Sequence, residues 1–333
     1  MANNWNLLGH EWAVDMLRQH VANQTQRHAY LFTGPPGLGR RSLALAFARS
    51  LNCPQPPMPG EFCGEQSECR DCRQIAAMQH PDLHIIQADQ EGGTLKVEQI
   101  RELLKGVLLS PYQAKYRIVL LHRFQEANPS AANALLKTLE EAPSKVILLL
   151  TADNAEQLLP TIVSRCEVIR LRSLPTLQVE EFLREKGADD VKAQLIASLS
   201  AGRPGYALRL LEDESALEFR NEKLDDLENL LAASRVERFS YAEKLAKEKD
   251  SIRETLILWL SLWRDVMLRV AGEEDTIANL DRRAVIENLA KKLNLSEAKK
   301  LLDAVENGIG QLKRNVNARL LIENLLLDWP RSQ

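Results

Sequence analysis

LFTGPPGLGRRSLALAFARSLNC, residues 31–53, reads as an apolar strand running into a glycine turn and then into an alanine-rich helix. That is the layout of a phosphate-binding loop. In G-x-x-x-x-G-K-[ST], backbone N–H groups wrap the phosphates, the lysine reaches the terminal phosphates and the hydroxyl binds Mg2+. Gly34, Gly37 and Gly39 keep the turn, but Arg40 and Arg41 stand where the lysine and the hydroxyl belong. A planar guanidinium does not replace a compact ammonium, and Arg41 puts a cation at the metal-ligand position. Ser42 brings a hydroxyl one residue late, about 100° round the helix from the required direction.

The second half of such a site is an acidic residue at the end of a neighbouring strand. In IVLLHRF the apolar run Ile118–Leu121 is followed instead by His122 and Arg123. Both halves have exchanged metal-binding groups for bases, so ATP hydrolysis by this chain is not expected. Two readings of the glycine loop stay open: a tight turn at a helix N-terminus, and a weak metal-free anion site, since helix N-termini attract anions.

Around this loop the chain alternates. Residues 8–23 have helical periodicity, 29–33 and 83–89 read as strands, 97–109 as a helix and 116–124 as a strand. Asn128 and Pro129 then cap and open a helix that carries Ala132, Leu135, Leu136 and Leu139 on one face, and Pro143 stops it. Strands at 146–152 and 168–172 complete an α/β pattern, which implies a parallel sheet covered on both sides. From Ser173 onward only helical periods remain, so an all-α portion follows. The expected division is a phosphate-loop module at 1–172, a small helical domain at 173–212 and a larger helical domain at 213–333. In the last, Leu312, Val316, Leu320, Ile322 and Leu326 belong in or beside a C-terminal helix with Asn315 and Asn317 near its start.

Composition bounds the function. With 333 residues, 45% of them hydrophobic, the chain has material for more than one domain, and its net charge of -3 argues against a general nucleic-acid coat, so any DNA contact must be localised. Residues 1–12 do not read as a signal peptide, and the apolar run Leu256–Val270 is interrupted by Arg264, Asp265 and Arg269. We expect a buried helix there and a cytoplasmic location.

Four of the five cysteines, Cys53, Cys63, Cys69 and Cys72, fall close together. In a reducing compartment that clustering favours a metal over disulfides. Four thiolates leave no open coordination position, so the role would be structural, with Zn2+ the expected ion. Pro54, Pro56, Pro57, Pro59 and Gly60 mark the intervening loop as exposed, with no hydrophobic core to hold it. The competing reading is a set of free or buried thiols. A zinc-dependent nucleic-acid module is disfavoured, because neither aromatic stacking residues nor a basic stripe accompany the cysteines. Arg165, in TIVSRC, is by itself an ordinary loop arginine, solvated or in a local ion pair.

HAYLFTGPPGLG, HPDLHII, SAANALLKTLEEAP, TIVSRC, SAGRPGYAL and RNVNARLLIENLLL, in this order, resemble the bacterial clamp-loader proteins of the AAA+ class, over about Gly9 to Pro330. The similarity is strongest to the stator member, whose nucleotide site is commonly degenerate. The resemblance implies a P-loop-type sheet module with a zinc insertion at 53–72, a helical lid, and a C-terminal helical collar through which a heteropentamer assembles. It implies gamma/tau and delta clamp-loader subunits as partners, with the beta sliding clamp and primer-template DNA reached through the complex, and no membrane. It also implies that Arg165 acts in trans on the ATP of a neighbouring subunit. The cysteines depart from the family's C-x-x-C-x-x-C, since five residues separate Cys63 from Cys69, and Gly205 stands where hydrolysing relatives carry a lid arginine. The alternative within the class is an ATP-hydrolysing gamma/tau-like subunit that tolerates Arg40.

Overall fold

The computed structural model describes residues 5–64, 68–90, 92–107, 110–273, 277–312 and 316–330. They form two compact units, one of Met1–Leu174 with Arg203–Tyr206, the other of Pro175–Gly202 with Ala207–Gln333.

The first unit opens with α1 (Glu11–Ala22), β1 (Ala29–Thr33) and α2 (Arg40–Asn52), then the short α3 (Arg70–Ala76). It continues through β2 (Leu83–Ile86), α4 (Val97–Val107), β3 (Arg117–Leu121) and α5 (Pro129–Glu140). β4 (Val146–Ala152), α6 (Pro160–Val163) and β5 (Glu167–Arg170) close it. The strands pair in the order β2-β3-β4-β1-β5, every pair parallel. This is the expected sheet: β1 and β4 have the expected bounds, β2 and β3 are shorter at their polar ends, and β5 starts one residue earlier and ends two earlier. Leu108 and Leu109, read as the end of a helix, lie outside the described residues.

All residues of β1, β3 and β4 are buried, as a sheet covered on both faces requires. Alternation along each strand splits the core into two layers. Tyr30, Phe32, Ile118, Leu120, Ile147 and Leu149 face a layer with Phe47 and Leu43 of α2. Leu31, Val119, Leu121, Leu148 and Leu150 face a layer with Leu135 and Leu139 of α5 and Ile162 of α6. At the start of α5 the Asn128 side chain accepts from the Ala131 N–H at 2.7 Å, with Pro129 in the first turn.

The second unit is helical: α7 (Thr176–Glu185), α8 (Asp190–Ser200), α9 (Pro204–Glu212, whose first turn belongs to the first unit) and α10 (Glu214–Ala232). α11 (Arg235–Lys247), α12 (Lys249–Val270), α13 (Arg283–Lys292), α14 (Leu295–Leu312) and α15 (Ala318–Leu327) follow. The apolar run 256–270 lies in α12, where Trp259 and Trp263 are fully buried and pack edge-on against Trp329. Asp265 on the same helix is buried and accepts the N–H groups of Ala278 and Asn279. No helix among the described residues is long and apolar enough to cross a membrane. Asn317 caps α15 by accepting from Leu320 N–H, whereas Asn315 lies outside the described residues.

Candidate functional sites

The phosphate-type loop leaves β1 at the carboxyl edge of the sheet and enters α2 one turn earlier than the apolar period suggested, so Arg40 and Arg41 are its first residues. Gly34 (φ 142°) and Gly37 (φ 89°) adopt backbone that side chains avoid. A Cβ on Gly34 would lie 2.7 Å from the Leu171 carbonyl oxygen, and one on Gly37 would lie 3.0 Å from Tyr206 Cβ. The loop's carbonyls are taken up by its own unit. Gly37 O accepts the Gly205 N–H at 2.8 Å, and Leu38 O lies 3.2 Å from Nε2 of buried His10. Burial pushes the His10 pKa down, which favours the neutral ring, and Nε2 must carry the proton to donate to a carbonyl. Sequence reasoning saw Gly205 only as a missing arginine; the structure makes it the residue whose backbone closes on the loop.

Arg40 turns inward. Its side chain is 7% exposed, and Nη2 donates to Asp153 at 2.8 Å, just past the end of β4. Burial pulls the guanidinium pKa down, Asp153 opposes this, and nearby Arg123 adds to it. At the end of β3, His122 Nδ1 lies 3.1 Å from Thr151 Oγ1, and the Arg123 N–H donates to the same hydroxyl at 2.9 Å. Arg123 Nε donates to Glu126 at 2.6 Å. Arg40 and Arg123 are thus paired with carboxylates of their own chain, while Arg41, Gly39 and Ser42 sit at the start of the helix, with Arg41 and Ser42 exposed.

Cys53, Cys63, Cys69 and Cys72 converge, with all four sulfurs within 4.8 Å of one another. A tetrahedral Zn–S4 centre needs sulfurs ~3.8 Å apart, from Zn–S bonds of about 2.3 Å, so the cluster could close on a metal with little movement. Backbone N–H groups already point at the sulfurs: Cys63 to Cys53 at 3.4 Å, Cys69 to Cys63 at 3.1 Å and Cys72 to Cys69 at 3.4 Å. Burial alone would raise the Cys63 pKa, but the Cys69 N–H and the neighbouring thiols hold it below the usual range. Burial raises those of Cys69 and Cys72. Cys166 is not part of this cluster, and burial pushes its thiol up to about 12.

The loop between these cysteines corrects the expectation that no core holds it. Residues 54–59 are exposed, but Phe62 and Cys63 are buried in the sheet unit's core. The Phe62 ring meets Trp5 at 6.0 Å and takes the Arg49 guanidinium over its face at 4.0 Å. Trp5 Nε1 donates to Gly60 O, and Arg18 pairs with Glu61. A lone phenylalanine among prolines and glycine carries no periodic signal, so pattern reading missed it.

Arg165 lies between α6 and β5. Nη1 donates to Thr161 O at 2.9 Å and Nη2 to the Glu140 carboxylate at the end of α5. The side chain remains 33% exposed. Glu167 pairs in register with Tyr30, at the amino end of β1, whereas the glycine loop begins at the other end of that strand. Four residues of strand separate the two levels by about 13 Å.

A family model described as DNA polymerase III, delta subunit, matches residues 9–175, and one for its C-terminal part matches 214–331. The DNA polymerase III subunit delta' of Pseudomonas aeruginosa is 31% identical over 326 residues, covering 96% of this chain and 96% of that protein. The chain belongs to the DNA polymerase III delta' family. It is a delta'-like clamp-loader subunit. The delta' subunit of Escherichia coli K12 is 31% identical over 90% of the chain and 88% of its own length. The tau subunit of E. coli is 33% identical over a shorter stretch, 63% of this chain and 33% of its own length. A DNA polymerase III gamma subunit-related protein from Thermotoga maritima shares the fold, with 18% identity, a TM-score of 0.51, and coverage of 94% of this chain and 97% of that one. Arg40 and Arg41 thus follow the glycine loop at the carboxyl end of β1, His122 and Arg123 follow β3, and TIVSRC precedes β5 at the amino end of the neighbouring strand.

Proposed function

We propose that this chain is the stator of a DNA polymerase III clamp loader and donates Arg165 to the ATP bound by a neighbouring subunit, while its own loop hydrolyses none. One observation carries the reading. The glycine loop and Arg165 lie at opposite ends of the neighbouring parallel strands β1 and β5, which supports an Arg165 that is out of reach of its own loop and, being 33% exposed, accessible to another chain. An arginine aimed at a transferring phosphoryl group stabilises the charge spread over its oxygens, and such fingers contribute about 10³ to 10⁵ in rate at the site they serve.

The proposed partners are gamma/tau and delta clamp-loader subunits in a heteropentamer, and through it the beta sliding clamp and primer-template DNA in the cytoplasm. The proposed division is a sheet module at 1–172, a lid at 173–212 and an assembling collar at 213–333. Cys53, Cys63, Cys69 and Cys72 would hold one structural Zn2+. Four thiolates, three of them receiving backbone N–H groups, suit a closed zinc centre.

The test is Arg165→Ala in a reconstituted complex at matched assembly. ATPase stimulated by clamp and primed DNA should fall, clamp loading should fall further, and Arg165→Lys should rescue neither, since a point charge lacks the planar fork. Wild-type ATPase and loading in both variants would refute the role of Arg165.

A further inference from the structure

Arg165 is not left to swing in solvent. α5 ends at Glu140 and α6 ends two residues before Arg165. The two helix ends are fixed by one core, in which Leu135, Leu139 and Ile162 are buried beneath them. That packing puts a carboxylate and a backbone carbonyl on the same guanidinium. Thr161 O takes Nη1 at 2.9 Å, and Glu140 Oε1 takes Nη2. Thr161 is a fixed acceptor in the helix four residues back, but it can hold only one side of a planar group. Without a second contact the guanidinium could still rotate about the first.

We propose that Glu140 is a positioning residue for Arg165: it tethers Nη2 so that the guanidinium's remaining N–H groups stay presented at the surface, in the plane a phosphate of a neighbouring subunit would meet. This rests on the reading of Arg165 as an arginine that acts in trans. A guanidinium has five N–H donors, so two contacts to its own chain leave three for an anion. The pair is a tether and not a trap. Glu140 is 49% exposed and Arg165 33%, and ion pairs this open are weak, whereas a forked contact from arginine to phosphate is among the stronger hydrogen-bonded pairs. An approaching phosphate therefore gains an oriented donor set and need not displace the carboxylate.

Sequence gives little sign of this. Glu140 is one of two adjacent glutamates in TLEEAP, 25 residues from Arg165. Only the helix end selects it: Glu140 is the last residue of α5, and Glu141 has already left helical geometry.

The experiment compares wild type, Glu140→Ala, Glu140→Gln, Arg165→Ala and the double alanine variant. Each full-length chain is reconstituted into the clamp-loader complex, with assembly checked by size-exclusion chromatography and kcat and KM for ATP measured with clamp and primed DNA. Glu140→Ala should lower kcat by roughly 2- to 5-fold, the factor an exposed ion pair is worth, with KM for ATP unchanged. Glu140→Gln keeps an acceptor oxygen and should retain most of the rate. The double variant should match Arg165→Ala, because a positioning residue has no effect once its target is gone. Wild-type or faster turnover in Glu140→Ala overturns the proposal, as does a loss that adds to that of Arg165→Ala. If Arg165→Ala is itself silent, the trans-acting reading fails, and the tether fails with it.

Discussion

Replacing Arg238 with alanine should destabilise the helical unit more than any surface change in it. Arg238 lies in α11 and is 2% exposed. Its guanidinium donates to five backbone carbonyls: Leu230 at 3.0 Å, Leu231 at 3.4 Å, Leu326 at 2.6 Å, Trp329 at 3.0 Å and Pro330 at 3.2 Å. These belong to the last turns of α10 and α15 and to the chain just beyond, where helices leave carbonyls without intrahelical partners. One buried cation thus closes two helix ends, and it sits at the negative poles of both dipoles. Alanine removes every donor at once. Each buried acceptor stranded in this way costs about 1–3 kcal/mol, and water entering the space left by the side chain would satisfy some of the five. A net loss of roughly 3–5 kcal/mol follows, the range seen when one member of a buried charged network is removed. The assay is urea unfolding followed by tryptophan fluorescence. Trp329 sits beside this site, with its ring edge-on to Trp259 at 4.8 Å and to Trp263 at 5.7 Å, and replacing Trp5 and Trp12 of the other unit with phenylalanine in both proteins makes the signal report on this unit. Arg238→Lys should recover less than half, because an ammonium cannot span five carbonyls held around a plane. A loss below about 1 kcal/mol for Arg238→Ala, within the scatter of ordinary surface substitutions, would show that these contacts are not what closes the unit.

Three further outcomes are expected. Protein purified without chelator should carry about one zinc per chain by elemental analysis, lost in Cys72→Ser and kept in Cys166→Ser; zinc-free wild-type protein would refute the assignment. Arg40→Lys combined with Arg41→Thr should not restore ATP hydrolysis, since His122, Arg123 and the Gly205–Gly37 contact remain; turnover by this variant would locate the whole defect in the two arginines. Asp82 is fully buried, and burial alone would raise its pKa. The N–H groups of Gln113, Tyr112 and Ala114 and the Arg117 charge prevail and hold it below the ordinary carboxylate value. Because the folded pKa is the lower one, its stabilisation is complete above the unfolded pKa of about 3.9 and is lost as pH falls through the folded value. Asp82→Asn should therefore reduce stability at neutral pH and flatten its decline in acid, as read from thermal unfolding between pH 7 and pH 3; an unchanged acid limb would refute it.

What the sequence alone determined was what local pattern encodes. Continuous apolar runs such as RIVLL and VILLLTA marked strands buried on both faces, and the glycines around GPPGLG marked a strand-to-helix turn. The basic residues Arg40, Arg41, His122 and Arg123 at the positions of the phosphate-loop pattern, the grouping of four cysteines and the arginine of TIVSRC were all legible, because each depends on residue type at short spacing. The tertiary structure decided which residues meet across the chain. Arg40 pairs with Asp153, 113 positions away, and Gly205 closes on Gly37. Phe62 finds Trp5 and Arg49, and Glu140 finds Arg165. The parallel pairing of β1 with β5 put Arg165 and the glycine loop at opposite ends of neighbouring strands. Burial repeats with the period of the local backbone and leaves its trace in neighbouring residues. The choice of a distant partner is set by how whole elements pack, and a single charged or aromatic residue carries no mark of which partner that will be.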